Sequence, residues 1–228
     1  MKIVCIARNY AEHAAEMGAP RYERTSLEAA TPAFFLKPAT ALLTDGAAFA
    51  YPSFSRRVEH EAELVVRIAR GGHNIAEAEA CRCYDAVTLG IDFTARDLQQ
   101  EAKAKGLPWT LSKGFDGSAP VGEFIPLAAL GEGVQALSFS LLRNGRIVQQ
   151  GTTADMLCPI DRMIAHVSRY ITLEAGDLLF TGTPSGVGPV ERGDTLTGIL
   201  MQREVLHCKV LKKVTASSLI LHAFYHKD

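Results

Sequence analysis

Three acidic residues alternate along one short stretch, Val58-Glu59-His60-Glu61-Ala62-Glu63-Leu64-Val65-Val66. In a strand, alternation gathers side chains on one face. So read, the stretch brings Glu59, Glu61 and Glu63 together and turns Val58, His60, Ala62 and Leu64 the other way. Carboxylates this close disfavour one another's ionised forms, and a divalent cation reverses that penalty. A further acid, Asp92, ends the apolar run Leu89-Gly90-Ile91 just before a helix-capping Thr94. Glu61, Glu63 and Asp92 form an all-oxygen set with open positions, better suited to Mg²⁺ or Mn²⁺ than to Zn²⁺. The competing explanation is an exposed strand edge whose glutamates face water, with Asp92 capping the next helix.

Other candidates are individually ambiguous. His13 and Glu16 lie three apart and share a helix face. Such a pair can orient an imidazole as a general base or simply sit on a surface. Lys113, between Trp109-Thr110-Leu111-Ser112 and Gly114-Phe115, can offset charge on an oxyanion or snorkel to solvent. Gln99 can hydrogen-bond a substrate or face water. Thr181-Gly182-Thr183-Pro184-Ser185-Gly186-Val187-Gly188 lacks the marks of a nucleotide loop. It suits either backbone N–H groups presented to an anion or a tight turn.

The elements that must position these residues read as strands with a few helices between them. Strands are expected at Ile3 to Ala7, Phe34 to Leu36, Val58 to Ile68 and Val87 to Phe93. Helices are expected at Asn9 to Met17 capped by Asn9, at Asn74 to Asp85 capped by Asn74, and at Thr94 to Lys105 stopped by Gly106-Leu107-Pro108. A further helix should follow Pro159. Asn144-Gly145 between two apolar stretches marks a hairpin. The pattern favours a β-rich α+β fold in a single domain over residues 1–228.

Composition fits a soluble globular chain: 228 residues, 47% hydrophobic, 21% charged, net charge -1. With no basic block and no apolar run near ~20 residues, neither nucleic acid nor membrane is an expected partner. A small molecule is. The five scattered cysteines read as reduced and structural in a cytoplasmic protein.

Taken in order, Arg8-Asn9-Tyr10-x-x-His13-x-x-Glu16, Phe35-Leu36-Lys37-Pro38, His60-Glu61-x-Glu63-Leu64, Asp92-x-Thr94-x-Arg96-Asp97-x-Gln99, Lys113-x-Phe115 and Thr181-Gly182-Thr183-Pro184-x-Gly186-Val187-Gly188 resemble the fumarylacetoacetate hydrolase family over about residues 2–200. Gly106-Leu107-Pro108-Trp109-Thr110-Leu111 and Gln150-Gly151-x-Thr153-x-x-Met156 resemble its acylpyruvase and oxaloacetate-acting subgroup. The resemblance implies a rolled, mixed β-sheet core with a few short helices, commonly a homodimer. It implies Glu61, Glu63 and Asp92 as Mg²⁺ or Mn²⁺ ligands, and His13 and Glu16 as a pair on a lid helix ordered over substrate. Lys113 matches a catalytic position, and Gln99, Thr183 and Arg8 match substrate-side ones. Lys37 matches a motif position without an assigned role. Ala7, Gly114 and Glu59 depart from common family residues, Glu59 close to the metal site. The tail, about 215–228, stays unassigned.

The implied activity is metal-dependent hydrolysis of the C–C bond of an acylpyruvate, of the acetylpyruvate or fumarylpyruvate class, to pyruvate and a carboxylic acid. Oxaloacetate decarboxylation and keto–enol tautomerisation need the same polarised 2-oxo group. A non-catalytic small-acid binding module is the alternative outside enzymology.

Overall fold

The continuous apolar runs become strands of a mixed six-stranded sheet, ordered Phe34–Lys37, Ile3–Ile6, Leu178–Phe180, Ala62–Ile68, Tyr84–Ile91, Ile125–Pro126. This is a computed structural model that describes residues 1–16, 32–44 and 46–211. Only Ile3–Ile6 and Leu178–Phe180 pair in parallel within that sheet; the other neighbours are antiparallel. Both faces are covered. Val4, Ile6, Leu64 and Val66 enter the larger apolar cluster, while Ile3, Cys5, Val65, Leu178 and Phe180 enter a smaller one on the opposite side. Two buried faces explain why these strands read as unbroken apolar runs rather than as alternation.

A four-stranded antiparallel sheet, Arg146–Thr152, Ser138–Arg143, Thr195–Leu200, Arg203–Lys209, adds Phe139, Leu141, Leu196, Leu200 and Leu206 to the larger cluster. Its first hairpin turns at Asn144-Gly145, with φ 53° and 77°, the double left-handed geometry of a type I′ turn. That hairpin brings Gln149 back toward the first sheet. Helices are few and short: Ala11–Glu16, Glu77–Ala80, Arg96–Lys105, Thr110–Lys113 and Ile160–Ser168 among the described residues. None of the described helices is long and apolar enough to cross a membrane.

Several expected boundaries move. Val58 to Ile68 is two strands, Val58–His60 and Ala62–Ile68, broken at Glu61. The first leaves the main sheet to pair with Gly188–Pro189 and Thr94–Ala95. The helix expected from Asn74 shrinks to Glu77–Ala80 because Tyr84–Ile91 is already strand. Thr94 belongs to a short strand, so the next helix begins at Arg96 and ends, as expected, at Gly106 in the left-handed conformation. Asn9 does not cap its helix. Its buried side chain donates to Thr181 O (2.8 Å) and Cys158 O (3.2 Å) and accepts from Cys158 N (2.8 Å). Met17, Gly18, Pro20 and the tail 215–228 lie outside the described residues.

Candidate active site

Antiparallel pairing sets the acids side by side. Ala62 opposes Ile91 and Glu63 opposes Gly90, so the residue after each pairing end, Glu61 and Asp92, meet; Asp92 N donates to Glu61 O at 2.8 Å. Phe93 anchors this corner by stacking on Phe49, ring centroids 4.0 Å apart, a contact worth about 0.5–1.5 kcal/mol beyond burial. One carboxylate oxygen each from Glu61, Glu63 and Asp92 lies within 4.8 Å of the others, and all three residues are buried. The exposed-edge explanation therefore fails: Glu63 is 2% and Asp92 1% exposed.

Three buried cations surround the acids. Lys113, from the short Thr110–Lys113 helix, donates to Glu61 Oε2 and Asp92 Oδ2, both at 2.6 Å. Arg96, at the start of Arg96–Lys105, donates to Glu59 Oε2 and Glu61 Oε1 at 2.6 Å and to Gln99 Oε1 at 2.5 Å. Lys37 Nζ lies 2.8 Å from Asp92 Oδ1 and donates to the carbonyls of Lys113 and Ser118 and to Ser118 Oγ. Burial pushes the Glu61 carboxyl up, but Lys113 and Arg96 overcome it and hold it well below the ordinary range. Burial also pushes Lys113 down, and Asp92 with Glu61 reverse this, so its pKa is raised. Glu63 lacks such a cation contact: burial, then Asp92 and Glu61, raise its pKa well above normal.

The glycine-rich loop closes one side. Gly182 N donates to Glu63 Oε2 at 2.7 Å. Its φ of 93°, with Asn9 Cβ 2.7 Å from where a Cβ would sit, restricts the position to glycine. Thr183 Oγ1 donates to Ala62 O (2.7 Å) and accepts from Gln149 Nε2 (2.8 Å). On the other side, His13 is buried in the Ala11–Glu16 helix with Nδ1 3.4 Å from Glu16 Oε2. Burial lowers its pKa more than Glu61 and Glu16 raise it, which favours the neutral imidazole a general base requires.

Of the sequence candidates, His13, Glu61, Glu63, Asp92, Gln99, Lys113, Thr183 and Arg8 line one cleft. Glu16 reaches it through His13 and also accepts from Gly186 N at 3.3 Å. Lys113 does not snorkel; it is 3% exposed. Glu59 is not part of the acidic trio. The break at Glu61 sends it to Arg96 and to Arg57 Nε, 2.7 Å away. Sequence reasoning gave no role to Arg96 and Lys37, and passed over Gln149 entirely. The first two stand in motif positions; nothing local marks Gln149.

The trio fits a hard divalent cation. Asp92 Oδ1 is buried and accepts no hydrogen bond; Lys37 touches it by charge, out of hydrogen-bond alignment. Three buried carboxylates converging on one point match the oxygen-only preference of Mg²⁺ and Mn²⁺.

Fold and site together define a β-rich protein with a buried cluster of three carboxylates, spaced to suit a cation, flanked by an ammonium group and an imidazole–carboxylate pair. The sequence pattern described as fumarylacetoacetate (FAA) hydrolase C-terminal matches residues 2–213, and the chain belongs to the fumarylacetoacetate hydrolase family. It is 43% identical over 194 residues to the mitochondrial oxaloacetate tautomerase FAHD1 of Mus musculus, covering 85% of this chain and 84% of that one. It is 41% identical over 196 residues to the oxaloacetate tautomerase YcgM of Escherichia coli, covering 86% of each. The crystal structure of fumarylpyruvate hydrolase from Pseudomonas aeruginosa in complex with Mn²⁺ and pyruvate superposes with TM-score 0.85 at 34% identity, over 93% of this chain and 90% of that one.

Proposed function

We propose that this protein is a Mg²⁺- or Mn²⁺-dependent enzyme that interconverts the keto and enol forms of a 2-oxo acid of the oxaloacetate class. The observation that carries the reading is the buried Glu61/Glu63/Asp92 trio, with Lys113 inside it and neutral His13 in the same cleft. Relatives at 41–43% identity named oxaloacetate tautomerases support it.

The cation, held by the three carboxylates, would polarise the 2-oxo group and offset negative charge growing on its oxygen. Lys113 adds a second positive charge beside that oxygen, where a well-placed donor contributes about 3–4 kcal/mol. Glu16 takes the Nδ1 proton of His13 as a hydrogen bond and leaves Nε2 to accept a proton from the carbon next to the 2-oxo group. The same nitrogen returns the proton to carbon or oxygen. Burial keeps bulk water from competing.

C–C hydrolysis of an acylpyruvate, the activity implied by the sequence resemblance, is the second reading. The His13–Glu16 pair favours it, since a base so oriented also serves to position water, and the fumarylpyruvate hydrolase structure supports it. Two assays separate them. Loss of the oxaloacetate enol absorbance, dependent on Mg²⁺ or Mn²⁺ and stopped by chelation, with no pyruvate released from acetylpyruvate, is expected. Metal-dependent pyruvate release that His13→Ala abolishes would establish the hydrolase instead. Metal-independent activity in both assays would sink either reading. Homodimer formation is part of the proposal, and sedimentation of the purified protein tests it.

A further inference from the structure

The imidazole–carboxylate pair of the cleft sits on a helix too short to hold itself. Ala11–Glu16 has six residues, and isolated helices below ~12–15 residues are marginal in water. Its entry is fixed by the chain around it: Asn9 is bonded to Thr181 and Cys158, Leu157 N donates to Asn9 O at 2.9 Å, and Tyr10 bridges to Met156. Past that entry, two glutamates one turn apart reach the glycine-rich loop. Glu12 Oε2 accepts from Ser185 Oγ at 3.1 Å, and Glu16 Oε1 accepts from Gly186 N at 3.3 Å. The loop itself is held by other parts of the chain. Gln149 Nε2 donates to Pro184 O at 3.1 Å. Pro184 packs so closely on Gly151 that a Cβ there would meet its Cγ at 2.9 Å. Gly186, at φ 95°, has Val148 O 2.5 Å from where a Cβ would stand, so only glycine fits. The same loop carries Gly182, whose N–H holds Glu63. One short run of backbone thus touches both the carboxylate trio and the carboxylate that orients His13.

We propose that Ser185 and Glu12 are positioning residues for the base: their hydrogen bond registers the Ala11–Glu16 helix on the glycine-rich loop and so sets where His13 stands relative to Glu61, Glu63 and Asp92. The inference rests on the reading of His13 as the base of a 2-oxo acid enzyme and adds what places it. The contacts run from Ser185 to Glu12, along one turn of helix, and from Gly186 through Glu16 to His13. Both oxygens of Glu16 are engaged, Oε1 by Gly186 N and Oε2 by His13 Nδ1 at 3.4 Å. The carboxylate plane, and with it the imidazole, therefore follows the loop. These two contacts already exceed the commonest range of about 2.7–3.2 Å, so neither tolerates further drift of the helix. The Ser185 bond, one turn earlier, opposes that drift. Neither Ser185 nor Glu12 lines the cleft that holds His13, so an effect of either on turnover must pass through the helix. Glu12 is exposed and Ser185 half-buried, so their bond adds little to folding stability. Its value lies in placement, since a shift of about 1 Å in a catalytic group can cost about 100-fold in rate.

The test uses the full chain with saturating Mn²⁺, in whichever assay the wild type answers, oxaloacetate enol loss or pyruvate release from acetylpyruvate. Ser185→Ala and Glu12→Ala should each lower kcat about tenfold, a shift well under the ~1 Å case, with KM and Mn²⁺ affinity unchanged. The double variant should be no slower than either single one, as for two halves of one contact. Ser185→Thr, which keeps the hydroxyl, should retain most of the rate. In a Glu16→Ala background the effect of Ser185→Ala should largely vanish, because the register acts through Glu16, whereas general damage to packing would add to it. Apart from turnover, amide hydrogen exchange across the Ala11–Glu16 helix should quicken in Ser185→Ala while the Ala62–Ile68 strand exchanges as in wild type. Single variants with wild-type kcat, unchanged exchange in the helix, or losses that add in either double variant would overturn the register alone. A wild type inactive in both assays with Mg²⁺ and Mn²⁺ would bring down the parent reading and this inference with it.

Discussion

His13 is largely stripped of water in its helix, and burial lowers its pKa from the ordinary 6.5. Its neighbours pull the other way: the Glu61 charge, and the hydrogen bond and charge of Glu16, favour the protonated ring. A base must be deprotonated to act, so the acidic limb of the kcat/KM profile should fall below pH 6.5. Glu16→Gln removes one of the contributions that raise this pKa, so its limb should move to still lower pH. The variant should also be slower at the plateau, because the neutral amide holds the ring tautomer less firmly. A pH–rate series on both proteins checks this; a limb that moves upward in Glu16→Gln would mean that another group is titrating.

At the scale of elements, Gln149 joins three parts of the chain. Its Oε1 accepts from Ala62 N and from His60 Nδ1, both at 2.9 Å. Its Nε2 donates to Thr183 Oγ1 at 2.8 Å and Pro184 O at 3.1 Å. All four hydrogen bonds of a buried amide are thus made, and Ala62 is the residue between two of the proposed ligands. Gln149→Leu should cost roughly 2–4 kcal/mol in denaturant unfolding, since several buried partners lose their bonds. It should also weaken Mn²⁺ binding by about 10- to 100-fold, the usual effect of losing an outer-shell partner. Calorimetric Mn²⁺ titration of the folded variant reads the second effect, and an unchanged affinity would reduce Gln149 to a packing role. None of this could be read from sequence, because Gln149 meets Ala62 across 87 positions of chain. Spacing did reveal what is local: Glu61 and Glu63 two apart, the Asn144-Gly145 turn, Gly106 as a helix stop. It misled where a local signal lost to a distant one. Asn9 looks like a cap but is claimed by Thr181 and Cys158, and Glu59 alternates with Glu61 but is claimed by Arg96.

For the molecule as a whole, the acidic centre lies where the main sheet, the small three-stranded sheet and the glycine-rich loop converge, so its charges bear on the stability of all of them. Glu59, Glu61 and Asp92 are paired with Arg57, Arg96, Lys37 and Lys113, and among the described residues Glu63 is the carboxylate left with a backbone N–H in place of a cation. Ionising a buried carboxylate that has no cation partner is costly, as the raised Glu63 pKa reflects, and a bound cation would relieve that cost. Because the trio assembles only on folding, ligand binding adds directly to stability. At a hundred times Kd the gain is about 2.7 kcal/mol, which for a chain of this size raises the melting temperature by roughly 5–10 °C. Thermal unfolding with chelator and with increasing Mn²⁺ should show that rise. Asp92→Asn should abolish the shift, and it should melt below wild type in chelator because Lys37 loses its carboxylate partner and Lys113 one of its two. A melting temperature of wild type indifferent to Mn²⁺ and Mg²⁺, or one that Asp92→Asn shares in full, would mean that the three carboxylates are not the cation site.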